Sequence, residues 1–171
     1  IEETSGARFC ASFGVVRDYD NIWDSQIDVW HNRLAKKSEK EIFTAAQITH
    51  TPMDMVYLLD GTDVEELLKY PVLFYSHPLI LTEKRTELLK QYVEAGGCLI
   101  LGCRTGQKDE TGQCVMTPMP GLLAPLTQTD VKEFTFIGPA DDAVSMNWDG
   151  CEVETGLFND ILTPTGVDAK V

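Results

Sequence analysis

The chain has 171 residues, 43% of them hydrophobic, which is enough to bury the core of one domain and too short for two comfortable ones. Its 27 acidic residues face 14 basic ones, giving a formal charge of -13, and this sets aside a nucleic-acid groove, which needs clustered Lys and Arg. Five irregularly spaced cysteines without a CxxC pair argue against a zinc ribbon or redox dithiol, and no apolar run approaches the roughly 18 residues of a membrane span.

Residues 8–16 (RFCASFGVV) read as a first strand, with Arg8 at its start and Phe9, Cys10 and Phe13 among its apolar members. The charged, aromatic stretch 17–24 that follows reads as a loop, the least generic part of the chain. Ile27, Trp30 and Leu34 at i, i+3, i+7 point to some helix within 24–37. Ser38 and Glu41 have capping-box spacing ahead of Ile42, Ala45 and Ala46, which predicts a helix over 39–50, ended by Thr51-Pro52. A second strand covers 53–59. Thr62 and Glu65 repeat the capping-box spacing and open a short helix through Leu67 and Leu68, closed at Tyr70-Pro71 before a strand over 72–75.

Thr82 caps the next helix, whose apolar face is Leu88, Leu89, Tyr92 and Val93 and whose stop signal is Gly96, since glycine enters the left-handed region without steric cost. Residues 98–101 (CLIL) are apolar without alternation, as a strand covered on both faces requires. Beyond Gly106 the texture changes to a long polar loop, a helical turn at 122–126 and several short strands, including 134–137. The alternation of strands and helices predicts a parallel, helix-covered α/β sheet with right-handed crossovers.

In such a sheet, ligands lie beside the loops after the strands, here 17–24, 76–78 and 103–108. Cys103 follows a strand, as nucleophilic cysteines do in class I glutamine amidotransferases, with His77 and Glu110 as imaginable partners. Its spacing is wrong for a nucleophile elbow, because Leu101 and Thr105 stand where glycines belong. Asp18 and Asp20 with Lys108 have the composition of a phospho-acceptor site, but both aspartates lie beyond the strand. No glycine-rich phosphate loop occurs, and His31, His50 and His77 have no metal-ligand spacing, so neither cofactor nor metal is expected. Trp23 and Trp30 are candidate stacking platforms for a sugar, with packing as the ordinary alternative.

The run 92–106 (YVEAGGCLILGCRTG), continued by Gln107-Lys108-Asp109-Glu110, resembles the middle domain of bacterial β-galactosidases of glycoside hydrolase family 42. The likeness extends to His50-Thr51-Pro52-Met53-Asp54, to Met119-Pro120-Gly121-Leu122-Leu123, to Glu133-Phe134 and to the acidic, tryptophan-containing stretch 18–30. It implies a three-layer, flavodoxin-like fold of the class I glutamine amidotransferase type, a missing amidotransferase cysteine, and a role in assembling homotrimers. The family's retaining chemistry belongs to two glutamates of a separate (β/α)8 barrel, so no glutamate of this chain takes that role.

The expectation is therefore a non-catalytic platform whose partners are its own barrel and neighbouring subunits. Arg17, Trp23, Asp24 and Arg104 are the candidates for contacts that shape the sugar pocket. Trp30, Phe43 and Trp148 are candidate interface anchors, with burial inside the domain as the alternative. The rivals are a free-standing hydrolase using Cys103 and a flavodoxin-like module binding a small anion or nucleotide. Ile1 and Val171 read as the cut ends of a longer polypeptide, and the cysteines suit a reducing, cytoplasmic setting.

Overall fold

The computed structural model describes residues 5–7, 9–138, 140–142 and 144–169. Strand β1 (Phe13–Arg17) is followed by helices α1 (Tyr19–Ile27) and α2 (Val29–Ile48), strand β2 (Met53–Tyr57), the short helix α3 (Val64–Leu67), strand β3 (Val72–Tyr75), helix α4 (Glu83–Glu94) and strand β4 (Cys98–Leu101). A 3-10 turn (Gly121–Leu123) leads into α5 (Ala124–Thr127), and strands β5 (Thr129–Ile137), β6 (Val144–Trp148), β7 (Cys151–Thr155) and β8 (Leu157–Pro164) complete the order.

The first four strands form one parallel sheet in the order β2-β1-β3-β4, the order of a flavodoxin-like doubly wound sheet. On one face Val16, Val56, Leu73 and Tyr75 pack with Leu89 and Tyr92 of α4 and Leu67 of α3 into the main core. On the other face Val15 is buried, and Leu34 and Ala46 of α2 are buried over the sheet. Three of the expected elements match: β3 and β4 have the expected bounds, and α4 has its expected ends, with Thr82 capping it by accepting from the Arg85 N–H and Gly96 taking φ +99 after it.

Other expectations need correction. The expected first strand begins later, at Phe13, with Phe9 and Cys10 exposed before it, while Arg8 lies outside the described residues. The stretch read as a loop over 17–24 is mostly helix α1, capped by Asp18, whose carboxylate accepts the Asn21 N–H. This helix is inside out: Asn21 is buried, while Tyr19, Trp23 and Ile27, at four-residue spacing, are exposed. Ser38 does not start a helix but lies within α2, because Asp28 has already capped it by accepting from the N–H groups of Trp30 and His31. Asp63 rather than Thr62 caps α3. Strand β4 is covered on one face only: it is the sheet edge, Cys98 is exposed, and Ile100 keeps 40% of its surface in solvent.

The tail forms two antiparallel ribbons, β5 with β8 and β6 with β7. Phe136 of β5 and Phe158 of β8 meet Trp30 of α2 edge-on, with ring centroids 4.4 Å and 6.3 Å away, which ties the first ribbon to the α/β layer.

Candidate functional site

Strand order reverses between β1 and β3, so the crevice at their carboxyl ends is where this sheet type takes a ligand. Here the chain fills it with its own groups. Asn21 donates to Asp18 at 2.8 Å and to the Ile80 carbonyl at 3.0 Å, and accepts the Ile80 N–H at 3.0 Å. The Tyr75 hydroxyl donates to Asp18, and burial together with that carboxylate raises the phenol well above its ordinary pKa. Arg85 lies 3.6 Å from Asp18 and 2.6 Å from Asp20. What stays open beside them is a cleft of about 230 Å³ lined by Arg17, Asp18, Glu39 and Ser76, below the ~300–1,000 Å³ of ordinary ligand pockets. The phospho-acceptor reading fails on the same geometry, because Lys108 does not bond Asp18 or Asp20 and reaches Asp24 and Asp28 instead.

The turn after β4 has the glycine spacing of a nucleophile elbow, centred one residue later than Cys103, but it leads into a polar loop and not into a helix. Gly102 and Gly106 stand two positions either side of Arg104, which takes φ +63, the strained conformation such a turn imposes on its central residue. Both glycines are required by packing. A Cβ on Gly102 would sit 2.5 Å from the His77 ring, and one on Gly106 would sit 2.3 Å from the Pro120 carbonyl oxygen. A guanidinium thus occupies the place of the reactive group, and it is bound internally. Arg104 donates to Gln107 at 2.7 Å and to Asp28 at 3.2 Å, lies over the Phe158 ring at 5.1 Å, and its backbone N–H is capped by Asp160 at 3.0 Å.

Cys103 does approach His77, with Sγ 3.4 Å from Nδ1, but the contact is not an activated dyad. The same Nδ1 lies 3.0 Å from the Cys103 carbonyl, which can only accept, so Nδ1 carries the proton and Nε2 accepts from the Ser38 hydroxyl at 2.7 Å. The nitrogen facing the sulfur therefore has no lone pair to receive the thiol proton. Burial, with Asp160 adding to it, pushes the Cys103 thiol up to about 12, leaving a thiolate fraction of only about 10⁻⁵ at pH 7. Burial also lowers His77, and Glu110 is exposed in the polar turn.

Around Arg104 lies a partly buried ion cluster. Lys108 donates to both oxygens of Asp24, at 2.7 and 2.9 Å, and to Asp28 at 3.0 Å, while His31 meets Asp24 at 3.0 Å. Burial alone would raise Asp28, but the His31 N–H, Lys108 and Arg104 outweigh it and hold the carboxyl well below the usual range. Burial alone would lower Lys108, and its two carboxylate partners raise it instead. His31 is lowered by burial, against the pull of Asp24.

Of the four residues expected to make external contacts, Asp24 and Arg104 are thus brought together inside the domain. Arg17 and Trp23 face outward. Trp23 stacks on Tyr19 at 5.7 Å, Tyr19 meets Tyr57 at 5.8 Å, and the Arg17 guanidinium lies 5.7 Å from the Tyr57 centroid while pairing with Glu39 at 2.9 Å. The candidate anchors Trp30, Phe43 and Trp148 are all exposed to a third or more, so the alternative of burial does not hold for them. Three participants escaped sequence reasoning. Asp28 is a double helix cap whose charge is shared with the cluster, Asp160 comes from a distant strand, and the Gly102-x-Arg104-x-Gly106 frame was legible but goes unseen when only a nucleophile is sought.

This geometry has relatives. The family described as the β-galactosidase trimerisation domain matches residues 11–171. The chain belongs to that family. The chain is similar to a segment of the β-galactosidase BgaH of Haloferax lucentense, 26% identical over 161 residues and covering 90% of this chain and 22% of that protein. The β-galactosidase BgaA of Clostridium cellulovorans is 35% identical over 109 residues, covering 61% of this chain and 16% of that one. Among solved structures, the β-galactosidase of Rahnella sp. R3 superposes with a TM-score of 0.77 at 16% identity, over 96% of this chain and 25% of that one, a likeness of fold. The chain therefore spans about a quarter or less of the length of each of these three relatives.

Proposed function

We propose that residues 1–171 form the non-catalytic trimerisation domain of a longer β-galactosidase, a retaining hydrolase of terminal β-D-galactosides whose two carboxylates lie on a separate (β/α)8 barrel. The domain holds that enzyme as a homotrimer and shapes the rim of its sugar pocket. The observation that carries the reading is the elbow. A turn with the glycine spacing of an elbow carries at its centre Arg104, bound by Asp28, Gln107 and Asp160, and the neighbouring crevice is filled by Asp18, Asn21 and Tyr75.

The contact with the barrel runs through the inside-out helix α1, where Trp23 and Tyr19 form an aromatic surface continued by Tyr57 and Arg17. Asp24 and Arg104 act beneath it by fixing α1 and α2 against the elbow loop. The free thiols at Cys98, Cys103, Cys114 and Cys151 support a reducing, cytoplasmic setting, and no helix among the described residues is long and apolar enough to cross a membrane.

The test uses the full-length polypeptide. Sedimentation equilibrium is expected to give three times the monomer mass, and Cys103→Ser is expected to leave galactoside turnover unchanged. A monomeric parent overturns the assembly role, and loss of a hydrolytic activity in the Cys103→Ser variant transfers the chemistry to this domain.

A further inference from the structure

The hairpin β6–β7 carries an apolar stripe whose large side chains stay exposed among the described residues. Its turn is Asp149-Gly150 with φ +49 and +82, the two-residue hairpin turn that needs positive φ at both positions, and Asn147 braces it by accepting the Gly150 N–H. The register pairs Val144 with Thr155, Met146 with Val153, and Trp148 with Cys151. Directly paired residues share a face and alternate residues share a face, so these six side chains form one surface of the ribbon. The other surface carries Ser145, Asn147, Glu152 and Glu154.

That division is the pattern of a strand pair with one buried face, yet Trp148 is 68% exposed, Val144 48%, Met146 42% and Val153 38%. A lone two-stranded hairpin is marginal in water and gains stability only by packing its apolar face on something else. The ribbon pairs with no third strand among the described residues.

We propose that the stripe Val144, Met146, Trp148 and Val153 is an intersubunit arm that packs on a second copy of this chain; the inference rests on the trimer reading above. Charge favours a second copy meeting this patch. This segment carries -13 in each copy, so identical copies of it repel over most of its surface, and a patch without charge is where they meet at the least electrostatic cost. The stripe has no ionisable acid or base besides the Cys151 thiol, and the hairpin's carboxylates Glu152 and Glu154 point from the opposite surface. A closed ring of three also uses a heterologous interface, in which a projecting element of one copy meets a different patch on the next, and a two-stranded arm is such an element. Trp148 is its anchor, since tryptophan dominates the energetics of interfaces it enters.

The experiment compares neighbouring substitutions that add the same charge to opposite surfaces of the arm, made in the full-length polypeptide and read by sedimentation equilibrium. Met146→Glu is expected to weaken trimer association by about 30-fold or more, the loss typical of an interface hot spot. Ser145→Glu is expected to leave it within about twofold. Trp148→Ala, which adds no charge, is expected to weaken association as Met146→Glu does, while thermal unfolding of the α/β layer stays unchanged. Trimers that survive both Met146→Glu and Trp148→Ala overturn the proposal and leave the arm to another partner, such as the polypeptide's own barrel. Equal weakening by Ser145→Glu overturns it as well, because the effect then follows charge or hairpin melting rather than the stripe. A wild-type protein that forms no trimer removes the underlying reading, an outcome visible before any variant is made.

Discussion

Replacing Lys108 by Met tests whether the ion cluster beneath the elbow holds the domain together. The Lys108 ammonium lies within 3.0 Å of oxygens on both Asp24 and Asp28, and all three side chains are at most 15% exposed. Removing one member of a buried ion pair costs about 3–5 kcal/mol, because the abandoned charge stays desolvated. Asp24 keeps His31 and Asp28 keeps Arg104 and its two capping N–H groups, so the lower end of that range, about 3 kcal/mol, is expected. For a domain of this size that corresponds to a fall of about 6–12 °C in Tm.

Urea denaturation measures this loss directly, and its pH dependence gives the sharper check. The Asp28 carboxyl is held low in the folded state, so its contribution is present above the unfolded value near 3.9 and is lost as pH falls toward the folded value. Lys108 is raised, so its contribution is present below about 10.4 and is lost as pH rises through the folded value. The deficit of Lys108→Met is therefore fully present between about pH 5 and pH 9 and shrinks only as pH falls below about 3.9 toward the folded value of Asp28. A deficit below about 1 kcal/mol at pH 7, or one that already vanishes between about pH 5 and pH 7, would refute the argument.

Two further outcomes follow from the same site. Arg104 holds φ +63, so Arg104→Gly and Arg104→Ala both lose its ion pair and stacking, but only alanine keeps the left-handed strain; the glycine variant is expected to be more stable by about 1 kcal/mol in denaturant titrations, and equal stabilities would show that the turn relaxes. His31 and His77 are both lowered by burial, so on acidification the unfolded chain binds protons before the folded one; stability is expected to fall from about pH 6.5 downward by up to ~1.4 kcal/mol per pH unit and per histidine, and a profile flat from pH 7.5 to 5.5 would contradict it.

Much of the α/β layer is written locally. Thr82 and Gly96 bracket α4 because a side-chain cap and a left-handed residue act within one turn of the helix, and Val72 to Tyr75 is a strand because a buried parallel strand has no polar position to offer. The same local logic took most of α1 for a loop, because its buried residue is the polar Asn21 and its apolar residues Tyr19, Trp23 and Ile27 face outward among charges. A helix that buries a polar residue shows no core-facing apolar period to read.

The order of elements, the absence of a phosphate loop and the glycine frame around Arg104 are properties of the sequence alone, since each depends on residues within a few positions of one another. Three matters were settled only by the tertiary structure. Arg104 is capped by Asp160, 56 residues away; His77 is turned by Ser38 and the Cys103 carbonyl so that it presents a proton to the sulfur; and the Met146 stripe stays exposed among the described residues. Each depends on where distant segments meet. Burial, protonation and exposure are set by those meetings, and no local pattern of residues encodes them.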